Sequence, residues 1–196
     1  MIRCTMAFRF SSNQFGTLST ATMKILSAIF MLNVLFPCSG NAALLVGDWG
    51  NKGGGVTDIV MEFDGTTGVF AGTFASGGGL DAPNDMTFGP DGDLYVASAG
   101  SDNILRYDGT TGAFLGVATG GGIDFPFGIT FGPDDNIYVS NPSGIFADTV
   151  LRYNGTTGAF IDAFASGVAG PRHLAFGPDD NLYVVSDHTD SVLNDY

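Results

Sequence analysis

The chain has 196 residues, with seven Lys and Arg against twenty Asp and Glu, thirty Gly, seventeen Phe and two Cys. A formal charge of -13 argues against a nucleic-acid surface, which needs clustered basic side chains to displace counterions. Two Cys cannot build a disulfide scaffold or a four-thiolate zinc site, and a 44% hydrophobic composition is too apolar for a disordered chain.

Charge is unevenly placed. Residues 1–42 hold only Arg3, Arg9 and Lys24, whereas all twenty carboxylates follow Ala42, against Lys52, Arg106, Arg152 and Arg172. From Met23 the chain runs Met-Lys, then the apolar stretch 25–36, then the small-residue exit 37–42. That is the three-part layout of a secretory signal. The apolar stretch is too short to span a bilayer core, which takes about 20 residues. Residues 1–42 are therefore expected to be an N-terminal extension and signal peptide, with Met23 as an alternative start and cleavage after Ala42. A lipid anchor on Cys38 would want a small residue before it, and Pro37 stands there. Cleavage after Ala42 removes both Cys4 and Cys38 and leaves a secreted or periplasmic domain over 43–196 without thiols.

Within that domain the sequence repeats. Phe63-Asp64-Gly65-Thr66-Thr67-Gly68 returns as Tyr107-Asp108-Gly109-Thr110-Thr111-Gly112 and as Tyr153-Asn154-Gly155-Thr156-Thr157-Gly158, at spacings of 44 and 46 residues. Phe88-Gly89-Pro90-Asp91 recurs as Phe131-Gly132-Pro133-Asp134 and Phe176-Gly177-Pro178-Asp179, at spacings of 43 and 45. After each comes Leu94-Tyr95-Val96, Ile137-Tyr138-Val139 or Leu182-Tyr183-Val184. Each unit reads as four short strands, a to d, with Gly, Asn and Asp supplying the corners between them. In the third unit these are 128–131, 136–140, 149–153 and 159–164. No sustained 3.6-residue pattern appears, so the class is all-β.

About 45 residues carrying four antiparallel strands is the period of a propeller blade. The Gly-Pro-Asp-(Gly/Asp)-(Asp/Asn)-(Leu/Ile)-Tyr-Val run, with strand c ending at Tyr, resembles the NHL-repeat family of β-propellers over about residues 44–193. The resemblance implies a closed ring of about six blades. Here the first unit offers strands b, c and d, two full units follow, and the last offers a, b and Val192-Leu193 of c. That makes fourteen strands, about three and a half blades in an open arc: a fragment of a longer propeller, a truncated gene, or a half-ring that pairs with another copy. Open blade edges favour self-association.

The same resemblance sorts the polar residues by face. The a–b and c–d turns share one face, which holds the repeated Asp64, Asp91, Asp108, Asp134 and Asp179; these read chiefly as turn caps. The d–a and b–c connections share the other face, where the repeat breaks. The start of strand a reads Pro83-Asn84-Asp85, Pro126-Phe127-Gly128 and Pro171-Arg172-His173, so one position is Asp85, Gly128 and His173 in turn. Asn141 and Asp102 fall in b–c connections, and Asp187, His188 and Asp190 fall in the last one. Asp85, Asn141, His173, Asp187, His188 and Asp190 are therefore the expected ligand-binding face, with His173, His188 and Asp85 as donors for a divalent metal. The favoured function is an exported binding scaffold for a protein, a glycan or a small ligand, without nucleic acid and without a membrane span after signal cleavage. The alternatives are a metal-assisted lyase or lactonase similar to streptogramin B lyase and the gluconolactonases, and a truncated product without function. No spacing of Ser and His proposes a nucleophile triad, so catalysis is the less favoured reading.

Overall fold

A computed structural model describes residues 43–48 and 58–187. The leader, Val192-Leu193, His188 and Asp190 lie outside the described residues. Strands β1 (Ala43–Asp48), β2 (Ile59–Asp64) and β3 (Phe70–Ser76) form the first sheet in that order, all antiparallel. The second sheet is β4 (Pro83–Phe88), β5 (Leu94–Ser98), β6 (Asn103–Tyr107) and β7 (Phe114–Val117). The third repeats it with β8 (Ile129–Phe131), β9 (Ile137–Asn141), β10 (Thr149–Tyr153) and β11 (Phe160–Ser166). The fourth pairs β12 (Pro171–Phe176) with β13 (Leu182–Ser186). The sheets are the blades of a partial propeller, and β4, β8 and β12 are their a strands. Short 3-10 turns at Ala99–Ser101 and Gly144–Phe146 interrupt two b–c connections, a detail the repeat did not announce.

The strand limits follow from turn chemistry. In the a–b turn Gly89 and Gly132 donate back to Asp93 and Asn136, and a left-handed residue closes the corner at Gly92 (φ 85°) or Asp135 (φ 59°). In the c–d turn the Asp108 carboxylate accepts from the Thr110 and Thr111 amides at 3.0 and 2.7 Å and from the Thr111 hydroxyl at 2.8 Å. Asp64 repeats this geometry, and Asn154 reproduces it with an amide oxygen. The turn-cap expectation for these residues is met.

Between the turns each interior sheet is apolar on both faces. Val96 and Leu105 face the first sheet and pack with Val60 and Ala75. Tyr95, Ala97 and Ile104 face the third and pack with Ile129, Val139 and Leu151. Tyr138 and Val150 repeat that packing on Leu174 of the fourth. The second-to-third and third-to-fourth junctions each carry an edge-to-face ring pair, Tyr95 with Phe131 at 4.9 Å and Tyr138 with Phe176 at 5.0 Å. Full burial of one such aliphatic or aromatic side chain contributes about 1.5–3 kcal/mol, so the junctions carry most of the stability.

Neighbouring sheets also meet through backbone, at Gly112 (φ 70°). A Cβ there would fall 1.7 Å from the Phe74 carbonyl oxygen of the first sheet. Gly68 has the same φ, 71°, with nothing within 4 Å of the equivalent position. Gly68→Ala is expected to cost about 1–2 kcal/mol from the left-handed backbone alone. Gly112→Ala is expected to cost ~3 kcal/mol or more, because a carbonyl must also move. Equal shifts of the two urea midpoints would show that the close approach is not felt.

The Thr111 hydroxyl, followed by the Thr111 and Thr110 amides, holds the Asp108 carboxyl below its ordinary value of 3.8. A carboxyl lowered in the folded state stabilises above its unfolded pKa and loses that contribution as pH falls through the folded value. Asp108→Asn is expected to keep the turn geometry, as Asn154 shows, to lower neutral-pH stability slightly, and to remove this group's share of the stability lost on acidification. A pH titration of ellipticity checks this.

Candidate functional site

The mouth formed by the d–a and b–c connections is built on three successive Xaa-Pro steps. Ala82, Phe125 and Gly170, each just before the proline, have φ of 53°, 53° and 56°. Each donates its N–H to a carboxylate from the b–c connection of the preceding sheet: Asp58, Asp102 and Asp148, at 2.5, 2.8 and 2.9 Å. These Asp residues latch one sheet to the next and aim strand a. A second set of contacts ties the d–a connection to the end of strand b. Ser98 exchanges hydrogen bonds with the Asp81 backbone, Asn141 accepts from the Asp124 amide at 2.7 Å, and the Ser186 hydroxyl donates to the Ala169 carbonyl.

Asn141 thus belongs to the frame. It is fully buried, and its amide nitrogen donates to Ser143 and Phe146 carbonyls at 2.7 and 3.0 Å. From this place it shapes the mouth from beneath.

Asp85 and His173 do meet. The Asp85 carboxylate accepts from the Met86 amide at 2.9 Å and the Ile129 amide at 3.2 Å, and one of its oxygens lies 3.5 Å from His173 Nδ1. They come from the second and fourth sheets, and the third sheet contributes Gly128 between them. A Cβ at Gly128 would stand 2.4 Å from the Arg172 carbonyl oxygen and 3.0 Å from His173 Cα. The break in the repeat, Asp-Gly-His at one position, is what lets the acid and the imidazole touch. The His173 side chain is 58% exposed, Asp85 25%, and the other ring nitrogen of His173 meets no partner among the described residues.

Around this pair stand residues that sequence reasoning passed over. The Phe127 ring meets the His173 ring edge-on at 5.4 Å, and the Arg172 guanidinium lies 4.5 Å over it. Arg172 also pairs with Asp187 at 2.8 Å. The signal was present, since Phe127 and Arg172 occupy the same strand-a tripeptide as Gly128 and His173. An apolar concavity of about 260 Å³ adjoins His173, walled by Ala175, Tyr183 and Val185. A second cavity, of about 140 Å³, lies between Tyr95, Arg106 and the Gly155–Gly158 turn, away from the acid–imidazole pair.

Asp85 and His173 could offer two donors to a metal. Among the described residues no group of three or more His, Cys, Asp or Glu comes together, and the third expected donor, His188, lies outside them, as does Asp190. On the opposite face each turn carboxylate is engaged. Tyr95 donates to Asp91 at 2.9 Å, Tyr138 to Asp134 and Tyr183 to Asp179 at 3.0 Å. Arg106 bridges Asp91 and Asp93, each at 2.7 Å. Burial, then the bond to Asp91, pushes the Tyr95 phenol up to about 12, so it remains a donor at neutral pH.

No protein-family profile and no curated protein match the chain. Solved structures match the fold. A gluconolactonase from Xanthomonas campestris superposes with a TM-score of 0.58 at 16% identity, over 76% of this chain and 52% of that one. The WD40 β-propeller domain of Doa1 superposes at 0.53 and 18% identity, over 65% and 40%. Hydrazine synthase from Kuenenia stuttgartiensis gives 0.55 and 25% identity, over 68% and 37%. The chain thus spans between about a third and a half of these neighbours' lengths, and the class its fold defines is the β-propeller. Among the described residues no helix is long and apolar enough to cross a membrane.

The latch gives a test of the frame. Asp102→Ala leaves the Phe125 N–H without its acceptor and is expected to cost about 1–2 kcal/mol, whereas Asp102→Asn keeps an acceptor and most of the stability. Thermal melts of the two variants distinguish a specific hydrogen bond from a general charge effect, which would affect both alike.

Proposed function

We propose that the chain is an exported binding scaffold of the NHL-repeat type, with its ligand site at the mouth lined by Asp85, Phe127, Arg172, His173 and Asp187. The supporting observation is the Asp85–His173 contact across Gly128. It sets an exposed imidazole beside an aromatic ring, a guanidinium and an apolar wall, the mixture of few polar groups and apolar surface that small-ligand sites use. An aromatic face with hydrogen-bonding neighbours suits a sugar ring or a peptide side chain, and the acidic chain favours neutral or cationic ligands. His188 and Asp190 follow Asp187 within three residues of sequence and are assigned to the same face by that proximity alone. Export rests on the signal-like layout of residues 1–42.

The second reading is a metal-assisted lyase or lactonase. It draws on the same pair: Asp85 and His173 would join His188 around a divalent ion that activates water or polarises a carbonyl. The gluconolactonase likeness supports the fold of such an enzyme and not its chemistry.

Purified full-length chain titrated with neutral oligosaccharides, Lys-rich peptides and, separately, zinc, calcium and manganese salts discriminates the two. A bound ligand is expected to raise the melting temperature, with the rise lost in His173→Ala and Arg172→Ala. Stoichiometric metal binding that His173→Ala abolishes would transfer the site to the enzyme reading. No response to any probe would overturn the site.

A further inference from the structure

The three c–d turns share one design, and the third differs from the others by a single functional group. Asp64 and Asp108 stand at the first two corners, and Asn154 stands at the third. Packing fixes the glycine that follows. A Cβ at Gly109 would stand 1.8 Å from the Gly92 carbonyl oxygen, and one at Gly155 would stand 1.9 Å from that of Asp135. The fold thus requires glycine after Asn154 and thereby creates the only Asn-Gly step in the sequence.

Three features of that step favour attack of the Gly155 nitrogen on the Asn154 carboxamide. First, Asn154 Oδ1 accepts from the Thr156 amide at 3.0 Å, the Thr157 amide at 2.8 Å and the Thr157 hydroxyl at 3.0 Å. Three donors on one oxygen make Cγ more electrophilic and stabilise the negative charge that addition places on that oxygen. Second, the Gly155 N–H has no hydrogen-bond partner among the described residues. In the second sheet the Gly109 N–H is tied to the Asp93 carboxylate at 3.3 Å; the equivalent residue of the third sheet is Asn136, whose amide nitrogen is turned to Asp134 at 2.7 Å. Third, Asn154 Nδ2 makes no hydrogen bond among the described residues, and both Asn154 and Gly155 are only half-buried, so water reaches the leaving group.

We propose that Asn154 converts spontaneously to aspartate. Hydroxide removes the Gly155 amide proton, and the nitrogen attacks Asn154 Cγ. The N–Cγ bond forms, the Cγ–Nδ2 bond breaks, and ammonia leaves with a proton from water, giving a five-membered imide. A second water molecule then opens the ring. Cleavage of the N–Cγ bond restores the Gly155 amide and leaves aspartate. Cleavage at the backbone carbonyl leaves isoaspartate, with an extra methylene in the main chain. The net change is water consumed and ammonia released, with no other reactant.

The fold selects between the two products. Asp108 already shows the place prepared for the first, with the same three bonds at 3.0, 2.7 and 2.8 Å. Isoaspartate would shift Gly155 out of its close fit on the Asp135 carbonyl. The mature turn is therefore the aspartate form, one negative charge richer. It lies on the face away from the proposed ligand mouth, so its test is independent of any ligand.

Full-length chain kept at mildly alkaline pH in heavy-oxygen water, then digested with trypsin, tests this through peptide 153–172. That peptide is expected to take up one labelled oxygen at Asn154 ahead of every other asparagine, chiefly as aspartate. In chain held unfolded in urea, isoaspartate is expected to dominate instead. Thr157→Val removes the hydroxyl donor and is expected to slow the folded-state reaction about tenfold, less than the roughly hundredfold lost with one donor in a water-excluded site. Asn154→Asp is expected to melt no lower than the unconverted chain, since the product fits the turn. Conversion no faster than at the other asparagines overturns the site. An unchanged rate in Thr157→Val overturns the role of the donors. Isoaspartate as the main product of the folded chain, or a destabilised Asn154→Asp, overturns the selection.

Discussion

A sheet with Val96 and Leu105 on one face and Tyr95, Ala97 and Ile104 on the other cannot remove both faces from water by itself. It needs a neighbour on each side, and that requirement organises everything else in the structure. The turns are short because strands must stay in register across two junctions at once. Gly112 is a glycine because the neighbouring sheet's backbone passes where a side chain would be. Stability in such an array is a sum of sheet and junction contributions, so the interior junctions stiffen the middle more than the flanks.

Against this regular frame, the mouth stands out as the place where the repeat is allowed to vary. The turn face repeats the same Tyr-to-Asp hydrogen bond in three sheets at 2.9–3.0 Å. The mouth instead carries Asp85, Gly128 and His173 at one position and a Phe127–Arg172 stack beside them. The latching carboxylates Asp58, Asp102 and Asp148 sit underneath and hold the chain direction fixed while those side chains differ. A constant layer under a variable one is how a repeat scaffold separates folding from recognition.

Much of the fold was legible in the sequence because turns carry their own chemistry. Phe-Gly-Pro-Asp and Asp-Gly-Thr-Thr-Gly mark corners by hydrogen bonds made within a few residues, so strand limits came out within one or two positions. The mouth was legible only in part. Aligning the repeats put Asp85 and His173 at equivalent places along their strands, which says nothing of the angle between sheets that brings them to 3.5 Å. Asn141 shares its repeat position with Ser98 and Ser186, small polar residues suited to holding a connection from inside. The latches went unnoticed because their partners are backbone amides 22 to 24 residues away, which no side-chain pattern encodes.

The Asp85–His173 contact has a further property. Its two members belong to the first and third of three consecutive sheets, so their separation sums two inter-sheet rotations. Changes of curvature at the two junctions therefore add there. The imidazole is in effect a gauge of how tightly the arc is wound. Any event that flattens or tightens the arc changes what that histidine presents, without touching the histidine itself.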